Sequence, residues 1–423
     1  MRAAWLRPAA VATPLYLLSC AVSEGGLLSR RPWGDVGQYE RYSRLVLDGK
    51  IPYHDFYLEY PPGALIAFLP PAVITNSQYL SAFKAFMALI GLAALFTAAW
   101  LLARLGASQG RLAVALVAIS LAPLALGHTF LNRFDPLPAL LAVLALAALV
   151  ARRHVTAGGL LALGFAVKLF AAVAAPVAAI RIHRTAGRRG VVKALVSAAV
   201  VGVLVFGFFL VVAFGGLGNT YYTQGKRGLQ IESIGASLLL AADRIGLGEA
   251  RSATDSPGSI DLGGAAPAVV AQLTSILQIL AVLVVALVYL RRPEGDERLV
   301  AAFAAAVTAF TIFGKVLSPQ FLTWLVFLVP LVGGAWRLHS TGLLIGALGL
   351  TQLEQHGFVG LEIHDWAVWV LLLRNALLVG LFVLLVSTVR ATSTTDALRK
   401  SPQTTAHAPG RYAPGRRAAD RHG

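Results

Sequence analysis

Arg31-Pro-Trp-Gly-Asp-Val-Gly-Gln-Tyr39, Gly49-Lys-Ile-Pro-Tyr-His-Asp55 and Glu59-Tyr-Pro-Pro-Gly63 fall between two apolar runs of the chain. Carboxylates at Asp35, Asp48, Asp55 and Glu59 share this insert with a histidine and several aromatic residues. A polypeptide that only had to sit in a bilayer would not need such an insert. An enzyme working at the membrane surface would. The stretch therefore points to a membrane-embedded body with chemistry at one face.

The composition around it agrees. The 423 residues are 57% hydrophobic and 13% charged, and many apolar runs approach the about 17–25 residues that span a bilayer. The fold class expected is an all-α polytopic membrane protein of about ten to twelve transmembrane helices, with an external juxtamembrane helical loop after the first. Residues 1–390 form the integral body. The single cysteine, Cys20, excludes an internal disulfide and a cysteine-based metal site. Leu17-Leu-Ser-Cys20 faintly resembles a lipoprotein cleavage box, but an uncleaved first helix is the better reading, since the rest of the chain is anchored anyway.

The net charge of +16 does not point to nucleic acid. Arginine sits in short loops between apolar runs, the mark of the cytoplasmic side. Spans are expected near 8–28, 79–103, 111–127, 134–151, 193–215, 264–290, 298–314, 320–336, 340–355 and 365–389. With both termini cytoplasmic, all the arginine-rich loops fall on one side. Residues 29–78, 128–135, 224–233, 315–320 and 355–365 then face outside. Residues 156–181 have basic loops at both ends and read as a hairpin of two short helices broken near Lys168. Residues 60–75 lie on the outer surface or dip in and return. The segment 391–423 reads as a disordered basic cytoplasmic tail, able to meet anionic lipid headgroups.

Residues 36–48 suit an amphipathic helix on the membrane, with Val36, Tyr39 and Val46 near one stripe. Asp35 precedes it and Gln38 follows three residues later, a capping-box spacing. Asp35 is thus either an N-cap or a general base for an acceptor hydroxyl. Glu59-Tyr60-Pro61-Pro62-Gly63 is a stiff turn whose glutamate can hold a sugar hydroxyl. His54 and Asp55 are adjacent, but two ligands do not make a metal site. Lys226 and Arg227 among glycines suit an anionic headgroup, and Arg grips phosphate with two parallel bonds. Each is also ordinary surface charge. Lys315-Val-Leu-Ser-Pro-Gln320 marks a polar pocket at a helix junction, although a lysine there can simply snorkel. Lys168 and Arg374 lie deep in apolar segments, where ionisable groups are functional candidates by default. No phosphate-binding glycine loop, HExxH or GxSxG occurs.

Asp35-x-x-x-Tyr39, Gly49-x-x-Pro-Tyr53 and Glu59-Tyr-Pro-Pro62 resemble the first external loop of glycosyltransferase family 87. Arg227-Gly-Leu-Gln-Ile-Glu-Ser233 and Lys315-x-x-Ser-Pro-Gln-x-Leu-x-Trp324 are similar to its later blocks. The resemblance covers roughly residues 15–390. It implies the C-type glycosyltransferase fold of actinobacterial envelope enzymes. It implies an inverting transfer of mannose, or arabinofuranose in some members, from a polyprenyl-phosphate sugar to a lipid or glycan acceptor outside the cytoplasmic membrane. Asp35 is then the catalytic base, and Lys315, Arg227 and Gln320 meet the donor phosphate. Tyr39, His54, Glu59, Tyr60 and Glu232 are the residues expected at the sugar or acceptor. No cofactor or metal is expected, because Lys and Arg can neutralise the leaving phosphate. The rival from another class is a transporter or flippase, which would share the basic loops, Lys168 and Arg374. Such proteins often carry repeats with helices broken at matching positions, and the one broken segment here has no clear counterpart.

Overall fold

The computed structural model describes residues 5–24, 34–256, 259–359 and 362–391. The expected tail beyond 391, and 29–33 of the expected external loop, lie outside the described residues. Among the described residues the fold is all-α, with fifteen α-helices and two small antiparallel sheets. Six helices are long and apolar enough to cross a membrane: Leu6–Glu24, Tyr79–Arg104, Gln109–Phe130, Ala172–Val212, Ala265–Leu290 and Asp365–Arg390. Four further apolar helices, Pro62–Ile74, Pro136–Val150, His154–Val167 and Pro319–Leu331, are shorter. The long helices alone therefore do not reach the ten to twelve expected. Asp296–Phe313 and Arg337–Gln355 are unbroken helices of 18 and 19 residues outside these two groups, and the rest are short or broken pieces, as irregular backbone at membrane depth is tolerated where it is buried in protein or lines a cavity.

The break at Lys168 is one such place. His154–Val167 ends there on an extended residue, φ −162° and ψ 127°. A 3-10 turn, Leu169–Ala174, then leads into the helix Ala175–Val212. The chain returns, since Thr185 Oγ1 lies 3.2 Å from His154 Nε2. Gly187 (φ 63°) bends the helix at that point and sends its second half back up. This is the hairpin read from the sequence, fused by the Gly187 bend to the expected 193–215 span. The arms pack closely because residue 158 is glycine; a Cβ there would come within 2.3 Å of the Ala194 carbonyl oxygen. Close backbone approach through small residues is how helices associate in lipid.

The loops sort to two ends. At one, Arg181 pairs with Glu294 and Asp296, Arg111 pairs with Glu297 and donates to the Leu331 carbonyl, and Arg298 donates to the Val389 carbonyl. At the other, Gln224 reaches Glu59, the Gln230 amide donates to the Lys315 carbonyl at 3.0 Å, and Arg374 donates to the Glu232 carbonyl at 2.7 Å. The three-stranded sheet also lies at this second end. It joins Leu229–Gln230, Ser259–Gly263 and Arg251–Ser256, and no strand was expected there.

Candidate active site

The short helix Val36–Leu47 buries Tyr39 among rings. Tyr39 stacks on Phe68 at 4.3 Å and meets Phe83 and Phe134. Ser43 donates to the Phe68 carbonyl. This aromatic floor fixes Asp35 at the start of the helix. The Asp35 carbonyl accepts from the Tyr39 amide, yet its side chain makes no capping bond. The carboxylate turns away from the helix. It pairs with Arg133 and accepts from Tyr60 Oη at 3.0 Å, with Tyr39 Oη at 3.5 Å. The capping-box partner is also engaged elsewhere, because Gln38 reaches Tyr42 Oη and Glu59. Two glycines permit the assembly. A Cβ on Gly34 would lie 2.7 Å from that of Asn132, and one on Gly63 would lie 2.6 Å from the Ala166 carbonyl oxygen. The loop after the first helix therefore rests directly on the 132–135 turn and on the end of the broken hairpin.

A cavity of about 280 Å³ opens between these elements. Asp35, Glu59 and Tyr60 line it from the loop, and Arg227, Lys315 and Gln320 line it from the later segments. Three residues assigned to sugar or acceptor binding do not line it. Tyr39 lies beneath, within the aromatic floor. His54 is exposed and pairs with Asp55 at 2.7 Å. No group of three metal-ligating side chains forms among the described residues. Glu232 is half-buried within the 225–233 loop, where its Oε2 accepts from Gln230 Nε2. Burial raises its carboxyl pKa, against the pull of Arg374, Arg133 and Arg227.

The sequence reading missed three residues. Arg133 lines the cavity and faces Asp35. Asp135 sits at the mouth of the helix Pro136–Val150, fully buried, and holds Lys168 Nζ between its oxygens at 2.8 and 2.9 Å. Trp324 Nε1 donates to the same carboxylate at 2.7 Å. Trp324 is stacked between Phe170 and Phe321, and the three rings wall the cavity. Lys168 itself lines the cavity and lies over the Phe134 ring at 4.6 Å. The signal was present: a lone lysine and a lone aspartate in two apolar runs each need a partner, and the cheapest partner is the other.

The loops carrying Arg227 and Lys315 are laced together. Gln230 Nε2 donates to Ser318 Oγ at 2.9 Å, and Lys315 Nζ donates to the Gly225 carbonyl at 2.6 Å. Asp261 pins the turn from the sheet, accepting from the Gly228 amide at 3.1 Å. Burial lowers the Lys315 pKa, with Arg227 adding to it and Asp261 opposing. Four cations from four segments, Arg133, Lys168, Arg227 and Lys315, thus face one cavity that also holds Asp35 and Glu59.

Residues 57–319 match glycosyltransferase family 87. The chain belongs to this family. It is a membrane glycosyltransferase with an all-α polytopic body. The matched region holds Glu59, Tyr60, Arg133, Asp135, Lys168, Arg227 and Lys315, and begins beyond Asp35. No curated protein matches the chain.

Proposed function

We propose that this glycosyltransferase moves mannose from a polyprenyl-phosphate donor to a lipid or glycan hydroxyl, with inversion, at the outer face of the membrane. The observation that supports this most is the cavity in which two carboxylates face four cations. A lipid-borne donor brings its own phosphate to the membrane, so no soluble nucleotide site is needed. Asp35, aimed by Arg133 and Tyr60, takes the proton as the acceptor oxygen attacks the anomeric carbon. The bond to the phosphate oxygen breaks on the opposite face of the sugar. Negative charge grows on the leaving phosphate, where Arg227, Lys315 and Lys168 oppose it. Gln320 orients the phosphate or sugar through its amide, and Glu59 holds a sugar hydroxyl. No metal is required in this scheme.

The direct test incubates membranes containing the protein with radiolabelled polyprenyl-phosphate mannose and, in parallel, the arabinofuranose donor. A new mannolipid or mannoglycan is the expected product. Label incorporated only from arabinofuranose would replace the sugar assignment, and incorporation from neither would sink the donor class. At saturating donor, Arg227→Ala and Lys315→Ala should each lower kcat by about 10²–10³-fold, because these cations act most where charge develops. Arg227→Lys should rescue poorly, as a point charge does not reproduce the guanidinium fork. Exposed Arg41 is the control. Equal losses in Arg41→Ala would mean that general surface charge, not a phosphate site, is being measured.

The sidedness follows from the arginine-rich end being cytoplasmic. With Cys20 replaced, a cysteine at Lys50 should react with an impermeant thiol reagent in intact cells, and one at Arg189 should not. The reverse pattern would place the cavity inside.

A further inference from the structure

At the arginine-rich end, a second concavity of about 370 Å³ is wholly basic in its charged lining. Arg152, Arg153 and His154 form one side, and Arg189 and Lys193 the other, with Thr156 at the helix start. No carboxylate lines it among the described residues. Glu294 approaches Arg152 only at 3.9 Å and is itself gripped by the buried Arg181.

The backbone is distorted on both sides to make this shape. After the helix Pro136–Val150, the Arg152 amide donates to the Leu149 carbonyl and the Arg153 amide to the Ala148 carbonyl. This closes the helix with Arg152 at φ 58°. Glycine is the usual residue in that left-handed closing position, and an arginine held there is strained. Across the pocket, Gly187 bends the long helix at φ 63°. The first-turn amides of His154–Val167 have no intrahelical acceptors, and Val155 and Thr156 from that turn line the pocket.

The pocket adjoins a groove of about 390 Å³ between His154–Val167 and the two arms of Ala175–Val212. Its walls include Leu161, Phe165, Ile182, Leu195 and Phe206. Pocket and groove follow one another along the same helices: Thr156 then Gly158, Lys193 then Ala194. A basic rim that only marked the cytoplasmic side would need neither a concave pocket nor an apolar trough leading from it.

We propose that this is a binding site for an anionic membrane phospholipid, its phosphate in the basic pocket and one acyl chain in the groove. Basic pockets between transmembrane helices suit such headgroups, and the Arg forks suit phosphate. The site lies at the foot of the hairpin whose apex presents Lys168 to the cavity. A bound lipid would therefore brace the element that carries that lysine.

The test uses the full-length protein, delipidated in neutral detergent, with phosphatidylglycerol as probe and phosphatidylcholine as the uncharged comparison. The expected result is saturable binding of phosphatidylglycerol over phosphatidylcholine, with the complex surviving in native mass spectrometry. The triple variant Arg153→Gln, Arg189→Gln, Lys193→Gln should bind about a hundredfold more weakly, from roughly one tenfold step or less per charge removed. Gly202 lines the groove with open space where a Cβ would stand. Gly202→Leu should therefore weaken lipid binding without unfolding the protein, and it keeps the test decisive if the triple variant misfolds. The exposed pair Arg104→Gln, Arg291→Gln should bind like the parent. Equal loss in that pair, or parent-like binding by both pocket and groove variants, overturns the proposal. Displacement of the lipid by inorganic phosphate, with Gly202→Leu without effect, also overturns it and leaves a free anion as the occupant.

Discussion

Asp35→Asn is expected to turn over at least about a hundredfold more slowly than the parent while remaining folded and able to bind donor. The substitution keeps size and shape and removes only the proton acceptor. It costs no helix cap, because the Asp35 side chain caps nothing. Tyr60 can still donate to the amide oxygen, and Arg133 loses its ion pair at a site that is partly open to the cavity. The informative comparison is Glu59→Gln. Glu59 lines the same cavity and, among the described residues, its carboxylate is held by long contacts of 3.4 Å from Gln38 and Gln224. A residue that holds a sugar hydroxyl should raise KM more than it lowers kcat, whereas the base should lower kcat itself. Near-normal turnover in Asp35→Asn together with a collapse in Glu59→Gln would move the base to Glu59.

Membrane class, the two-ended sorting of loops and the convergence of the loop after the first helix with the 224–233 and 315–320 loops were legible in the sequence. Each rests on a signal that survives in one dimension: apolar length, arginine placement, and polar residues where a bilayer protein has no need of them. The local chemistry of Asp35 was legible only as an alternative. A capping spacing is the same in sequence whether the side chain bends back to the helix or forward to an arginine about a hundred residues away. Only the 132–135 turn, seated on Gly34, decides between them. Tyr39 shows the converse case. Its motif position suggested contact with substrate, but a ring on the inner stripe of a short helix is used by the aromatic floor first. The small sheet was missed because strands of two, five and six residues carry too little pattern to register, and Asp261 reaches the Arg227 turn only through them.

Asp135→Asn is expected to be the most destabilising single change near the cavity, at about 3–5 kcal/mol, since it strands Lys168 in a low-dielectric interior without its counter-charge. Asp135 is fully buried and its carboxylate also receives Trp324. The amide can still accept from the indole, so the loss should come from the charge. Thermal unfolding in detergent reads that effect directly. Turnover should fall as well, but a misshapen cavity would do the same, and the single variant cannot separate the two causes. Pairing it with Lys168→Met can. Removing both charges from a buried pair leaves neither stranded and is often close to neutral for stability. The double variant should therefore recover most of the lost unfolding temperature. If Lys168 opposes charge on the leaving phosphate, turnover should stay low in that recovered protein. The defect should appear in kcat at saturating donor, because the lysine acts on charge that forms only as the bond breaks. A double variant that regains both stability and turnover would make Asp135–Lys168 a strut of the hairpin and remove Lys168 from the chemistry, leaving Arg227 and Lys315 to meet the phosphate.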